Sequence, residues 1–357
     1  MRYRSLLLIL SLLVAACGDE SGATTTTTPT TTSSPSTVST TSTTAPSTTT
    51  TLPLAEGVLP LALGEMPDTW VEAFFIPYGE TPDTLGTSLG GDGEGIMWGP
   101  EYGAQAPDGT WWFLDVANFR VAHFSDDGEY LDQVIVPEAM LVNGIYFQYS
   151  FPKVLADGTV LASMLGGEGT VFLRIQDGEL DSFSIPFEMT PRADDGENLY
   201  GFSFGEDSAL ISVDPVAETA EEVEWMVGRD GRRFTVAAGA VGLAIQLPDA
   251  SPAATVDLEF EAAEIGGPVY LMVEPVTASD GTMHLFMLGF PERDESLQLA
   301  GYMTISPEGQ ASPVEPILNP FTVSDPGTPT RLGVRPGTSD VWYMHIGIDG
   351  VRVYLRR

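Results

Sequence analysis

From residue 57 onward the apolar positions fall in short runs, not with a helical period. Thr110–Asp115, Thr159–Met164, Ser208–Asp214, Thr282–Gly289 and Val341–Ile346 are each six to eight residues long and rich in Trp, Phe, Val, Leu and Met. Runs of that length bounded by Gly, Pro and Asp predict strands. Asp-Gly dipeptides between the runs begin at Asp108, Asp127, Asp157, Asp177, Asp230, Asp280 and Asp349. Asp-Gly tolerates the positive φ of tight turns and is a strong hairpin signal. Asp108 to Asp157 is 49 residues, and Asp127 to Asp177 and Asp230 to Asp280 are each 50. A period of that size with two turns inside each unit predicts one four-stranded blade per repeat, and so an all-β propeller.

Units at 97–136, 148–187, 198–237, 240–262, 268–317 and 330–355 give six blades, or five if the irregular fourth is not a blade. The last unit supplies only three strands before the chain stops. An open third strand would leave a row of unpaired backbone groups. The apolar segment 70–76 has no unit of its own, so it is expected to pair beside 351–355 and close the ring.

The first 56 residues read differently. Met1–Arg4 is basic, Ser5–Ala16 is apolar, and the run is too short to span a bilayer but suits a signal-peptide core. It ends in Val14-Ala15-Ala16-Cys17, which resembles a bacterial lipobox. The resemblance implies a signal peptide at 1–16 and acylation of Cys17, the sole cysteine. Residues 17–56 are dominated by Thr, Ser and Pro and offer nothing to bury, so they read as a disordered linker ahead of the folded domain at 57–357. The expected location is the outer face of a bacterial cytoplasmic membrane, held through the lipid.

Charge narrows the partners. Lys+Arg number 15 against 50 Asp+Glu, a formal charge of −35. Residues 21–55 carry no charged side chain, so the acid belongs to the domain. Nucleic acid needs a basic surface and is excluded as a partner. Adsorption to anionic lipid is disfavoured for the same reason. Lys153 is the sole lysine, an observation with no function attached at this level.

One unit carries a family resemblance. Residues Pro107-Asp108-Gly109-Thr110-Trp111-Trp112-Phe113-Leu114-Asp115, then Ala117-Asn118-Phe119-Arg120-Val121, followed by Asp127-Gly128, are similar to an NHL-repeat blade, in which an Asp-x-x-Asn-x-Arg-Val turn opens the third strand. The resemblance covers 99–136 specifically and implies a propeller without implying a function. Asp115, Asn118 and Arg120 read as a structural turn: Asn118 suits a left-handed position, and Asp115 can hold Arg120.

The chemistry-bearing candidates are few. Gly201-Phe202-Ser203-Phe204-Gly205 has the spelling of a nucleophile elbow but lacks the helix that must follow. His123, His284 and His345 are the only histidines; some propeller lyases resembling this family hold a metal with three, yet these fall in second and third strands, not innermost ones. Asp194, Asp195 and Glu197 form an acidic loop that could hold calcium through oxygen, or be a solvated turn. The reading that results is a cell-surface binding or scaffold module for an extracytoplasmic protein, peptide or glycan. Its rival is a metal-dependent hydrolase or lyase with its site in the propeller channel.

Overall fold

A computed structural model describes residues 59–61, 65–86, 88–89, 97–98, 102–137, 140, 152–166, 169–203, 208–238, 242–250, 253–262, 269–291, 299–318, 332–347 and 349–357. Ahead of the first blade come β1 (Leu59–Leu61), β2 (Trp70–Pro77) and a small hairpin of β3 (Ser88–Leu89) and β4 (Met97–Trp98). Blade one is β5 (Tyr102–Gln105), β6 (Trp111–Asp115), β7 (Arg120–Phe124) and β8 (Tyr130–Ile135). Blade two is β9 (Lys153–Val154), β10 (Val160–Gly166), β11 (Gly169–Gln176) and β12 (Glu179–Ile185). Blade three is β13 (Met189–Asp194), β14 (Leu199–Ser203), β15 (Leu210–Asp214) and β16 (Thr219–Glu222).

Blade four is β17 (Met226–Val227), β18 (Arg233–Ala238), β19 (Gly242–Leu247) and β20 (Ala254–Ala262). Blade five is β21 (Val269–Thr277), β22 (Met283–Pro291), β23 (Leu299–Ile305) and β24 (Glu315–Pro316). Blade six is β25 (Leu332–Val334), β26 (Val341–Ile346), β27 (Gly350–Arg356) and, from the other end of the domain, β2. Four antiparallel strands make each blade, in chain order except for β2 at the outer edge of blade six, so the molecule is a six-bladed β-propeller with β5, β9, β13, β17, β21 and β25 innermost.

The ring closes where the sequence pattern requires. Trp70 pairs with Arg356 and Ile76 with Val351, with one bulge at Ala73, and the Arg357 amide donates to the Thr69 carbonyl. The phase of the middle blades differs from the sequence count. Ser208–Asp214 contains β15, a third strand and not a second one, and blades three and four span 189–222 and 226–262. The reason is local: Asp195-Gly196, read as an ion loop, is the first turn of blade three, with Gly196 at φ +95°. Blade four reads as irregular in the sequence because its first turn, Asp230-Gly231, falls inside the 198–237 unit and leaves only two strands for 240–262. Its outer edge is longer than usual, with β1 adding a parallel fifth strand on β20.

The core lies between the blades, which is why their strands are apolar on both faces. Every residue of β26 is buried. Between blades six and one, the Trp111 and Trp342 rings meet edge to face at 5.3 Å, with Phe74 of β2 against Trp111 at 5.4 Å. Between blades five and six, Trp70 packs edge-on to Tyr302 and Tyr343 at 5.2 and 5.9 Å. The closing strand thus adds an aromatic residue to both seams that flank its blade. Such pairs contribute about 0.5–1.5 kcal/mol each beyond the area they bury.

Candidate functional site

Four first turns share one design. Residues 106–110, 155–159, 228–232 and 278–282 each close with the fourth residue's amide on the first residue's carbonyl, and the first residue's amide on the fifth's carbonyl. In each the Asp Oδ1 accepts from the fifth residue's amide, at 2.8–3.2 Å. The glycine after each Asp lies at φ between +78° and +95°, which only glycine adopts without strain. These turns gather around one end of the channel. The Ala156 amide donates to the Gly196 carbonyl, and the Ser279 amide to the Thr338 carbonyl, joining neighbouring blades.

The second turn residue is Pro107, Ala156 or Ser279 in three blades and Arg229 in the fourth. Arg229 reaches four other blades. Its Nε donates to Asp194 Oδ1 of blade three at 2.6 Å, Nη1 to the Val334 carbonyl of blade six at 2.9 Å, and Nη2 to the Val154 carbonyl of blade two at 3.4 Å. Its backbone amide donates to Thr277 Oγ1 of blade five at 2.8 Å. Blade one is tied in by Arg335 of blade six, whose Nε and Nη2 both donate to the Pro107 carbonyl. Two arginines therefore link the first-turn ends of all six blades.

Lys153 stands beside this hub, one residue before Val154. It is 8% exposed and feels Asp194, Glu274, Arg229 and Arg192. Its ammonium is not among the buried polar atoms that lack a hydrogen-bond partner. Burial, together with Arg229 and Arg192, pushes the amine below the usual lysine range, against the pull of Asp194 and Glu274. Burial pushes the Asp194 carboxyl upward, but Arg229 and Lys153 outweigh it and hold the group below the ordinary carboxylate value. Asp194 and Glu274 are both buried.

The sequence candidates do not assemble here as one group. Asp194 joins the hub, while Asp195 caps its own turn: Oδ1 accepts from the Glu197 and Asn198 amides, Oδ2 from the Asn198 amide side chain and the Tyr200 hydroxyl. Glu197 is exposed. A calcium ion on these residues would have to displace a guanidinium from Asp194 and four donors from Asp195. Among the described residues no group of three or more His, Cys, Asp or Glu is placed to hold a metal ion.

The histidines lie in blades one, five and six. His123 stacks on Trp112 with ring centroids 3.9 Å apart, and His284 Nδ1 lies 2.6 Å from the Tyr302 hydroxyl. Burial lowers the His284 imidazole to about 4. Gly201–Ser203 ends β14, and the rest of that motif lies outside the described residues, as do Cys17 and the linker.

Asp115, Asn118 and Arg120 form a second buried ionic site, far from the hub in the chain. Asp115 Oδ2 accepts from Arg120 Nε at 2.7 Å and Asn118 Nδ2 at 2.8 Å, and Oδ1 accepts from the Gly86 amide at 2.9 Å. The left-handed residue is Phe119, at φ +51°, not Asn118, which ends a single 3₁₀ turn at Val116–Asn118. Arg120 also donates to Gln133 Oε1 and to the carbonyls of Thr81, Pro82 and Thr84. A Cβ on Gly86 would sit 2.5 Å from Asn118 Nδ2, so the segment after β2 can dock here only as glycine.

Sequence reasoning missed Arg229 and gave Lys153 no role. The available signals were a basic residue at one turn position and the uniqueness of the lysine.

A cleft of about 350 Å³, open mouth included, separates blades four and five. Its arginines are matched: Arg232 to Asp230, and Arg233 to Asp249 at 2.5 Å.

Among solved structures, virginiamycin B lyase from Staphylococcus aureus is similar at 11% identity over 71% of this chain and 80% of its own, with a TM-score of 0.40. Regucalcin, a calcium-binding protein from Agrobacterium tumefaciens, is similar at 13% identity over 71% and 88%, with a TM-score of 0.42. The PQQ-bound aldose sugar dehydrogenase of Streptomyces coelicolor is similar at 11% identity over 76% and 95%, with a TM-score of 0.41. No curated protein matches the chain. The model of a family described as a domain of unknown function, DUF7485, matches residues 68–356, nearly the whole propeller, and the chain belongs to that family.

Proposed function

We propose that this protein is a lipid-anchored binding module that presents its propeller outside the cytoplasmic membrane and takes a ligand at the first-turn end of the channel. Val14-Ala15-Ala16-Cys17 and the Thr/Ser/Pro-rich linker support the anchor and the display. The observation that carries the site is the group of buried charged side chains in the inner ring: Lys153 and Glu274, with Asp194 held by Arg229. Burying charge costs free energy, and charged groups gathered at the inner end of a channel mark a functional site.

The test is a thermal-shift screen of the purified protein against envelope glycans, peptides and divalent metals. Whatever binds only the native state raises the melting temperature. The reading expects a hit that Lys153→Met abolishes. Stoichiometric calcium or zinc that survives dialysis would overturn it in favour of a metal-dependent enzyme.

A further inference from the structure

Blade one keeps apolar side chains in water on its outer edge. Among the described residues six large apolar side chains are exposed, and three of them are here: Phe119 at 45%, Leu131 at 48% and Ile135 at 56%. The other three, Phe75, Phe202 and Val216, are divided between blades six and three. β8 is the last strand of its sheet, so no strand lies against its outer backbone groups among the described residues. Leu131 is the extra residue of a bulge, because Tyr130 pairs with Phe124 and Asp132 with His123. Beyond the bulge, Asp132–Ile135 pairs regularly. Phe119 adjoins this stretch: Ile135 pairs with Arg120, and the Val136 amide donates to the Phe119 carbonyl.

The backbone of Phe119 adds a second observation. Its φ of +51° is one that a bulky side chain adopts at a cost and that glycine or asparagine adopts more cheaply. A phenylalanine kept there for packing would be buried, yet this one is nearly half exposed. Charge then selects the partner. Arg120 is the only lysine or arginine in 102–135, and it is buried against Asp115. Asp108, Asp126, Asp127, Glu129 and Asp132 are all exposed on the same blade. An apolar edge rimmed by acid complements a strand that is both apolar and basic.

We propose that the outer edge of blade one docks an extended protein segment in which basic and apolar residues alternate. The segment pairs its backbone with Asp132–Ile135, covers Phe119, Leu131 and Ile135 with its apolar side chains, and sets its cations against Asp132, Asp126, Asp127 and Glu129. This edge is separate from the channel, and its failure would leave the channel site standing.

The test titrates the full-length protein with three labelled octapeptides, read by fluorescence anisotropy: alternating Lys-Val, alternating Glu-Val, and the Lys-Val peptide with alternate amides methylated. Backbone hydrogen exchange locates the contact. The Lys-Val peptide should bind saturably and slow exchange over 130–136, and the Glu-Val peptide should not bind. Methylation keeps the charge and removes donors, so it should weaken binding about tenfold or more. Phe119→Gly suits the left-handed backbone, so it should fold at least as stably as the natural chain and bind about fivefold to tenfold less tightly.

Equal affinity for the methylated peptide, or slowed exchange only away from this edge, would mean ionic adsorption to an acidic protein and would overturn the proposal. Undiminished binding by Phe119→Gly, or no binding of the Lys-Val peptide, would overturn it equally. Sedimentation of the protein alone tests the rival occupant: a dimer that Phe119→Gly dissolves would assign the edge to a second copy of this chain instead.

Discussion

Two arginines meet a buried aspartate in this propeller, and they differ in how completely they are satisfied. Arg120 spends all five N–H donors: on Asp115, Gln133 and the carbonyls of Thr81, Pro82 and Thr84. Its aspartate is fully buried and accepts three hydrogen bonds. Arg229 spends side-chain donors on Asp194, Val334 and Val154, in three different blades, and beside it lies the buried Lys153. The first site is closed and holds the segment behind β2 onto blade one. The second gathers blades around the channel. Ionic groups of similar burial thus differ in reach: one fastens a neighbouring segment to its own blade, the other joins blades across the ring.

The contrast can be broken from the largest effect downward. Deleting residues 66–78 removes β2 and with it the entry to the Arg120 site. It should abolish the cooperative unfolding transition of the whole domain, read by calorimetry; an unchanged midpoint in a monomeric deletion would refute the closed ring. Arg120→Ala leaves Asp115 buried without its cation and should cost about 3–5 kcal/mol, with no change in the ligand response at the channel end. Loss of ligand response at unchanged stability would reverse the assignment of Arg120 as a fastening.

Arg229→Gln should cost less, about 1.5–3 kcal/mol, because Lys153 remains to face Asp194. It should also move acid unfolding. Asp194 titrates below the ordinary carboxylate value in the folded protein. Its contribution is therefore complete above about pH 3.9, the unfolded value, and is lost as pH falls through the lowered one. Removing the guanidinium raises the folded value and should shift the acid-unfolding midpoint upward, which far-UV circular dichroism against pH would detect. Lys153→Met should have the smallest effect on stability, neutral or slightly stabilising, because a buried charge is exchanged for an apolar chain of similar length. A large loss on that substitution would mean that Lys153 fastens the ring as Arg120 does.

Much of this architecture is written in short-range signals. The strand after each Asp-Gly turn, the three-strand last unit and the spare apolar segment at 70–76 are local patterns, and they sufficed for six blades and the closing strand. The phase of blades three and four was not legible. Asp195-Gly196 is surrounded by Asp194, Glu197 and Asn198, and acid-rich spacing looks the same in a turn as in an ion loop. Arg229 and Lys153 were illegible for another reason. Arg229 acts on Asp194, Val154 and Val334 across 35, 75 and 105 residues of chain, and nothing at its own position announces those partners. The grip of Asp115 and Arg120 on Thr81–Gly86 is equally remote in sequence, although the turn itself was visible.

The N-terminal side of the ring holds two strands of unequal length, and this has a mechanical meaning. β1 lies as a three-residue parallel rider on blade four, and β2 as a seven-pair lock in blade six. Tension arriving from ahead of residue 59 loads β1 first. Its three pairs yield before the lock does, and the chain between Leu59 and Trp70 then pays out as slack, at most about 3.5 Å for each residue. If the proposed lipid anchor pulls from that side, the short pairing acts as a fuse: it breaks and re-forms, and the strand that keeps the propeller circular bears no load until the slack is taken up.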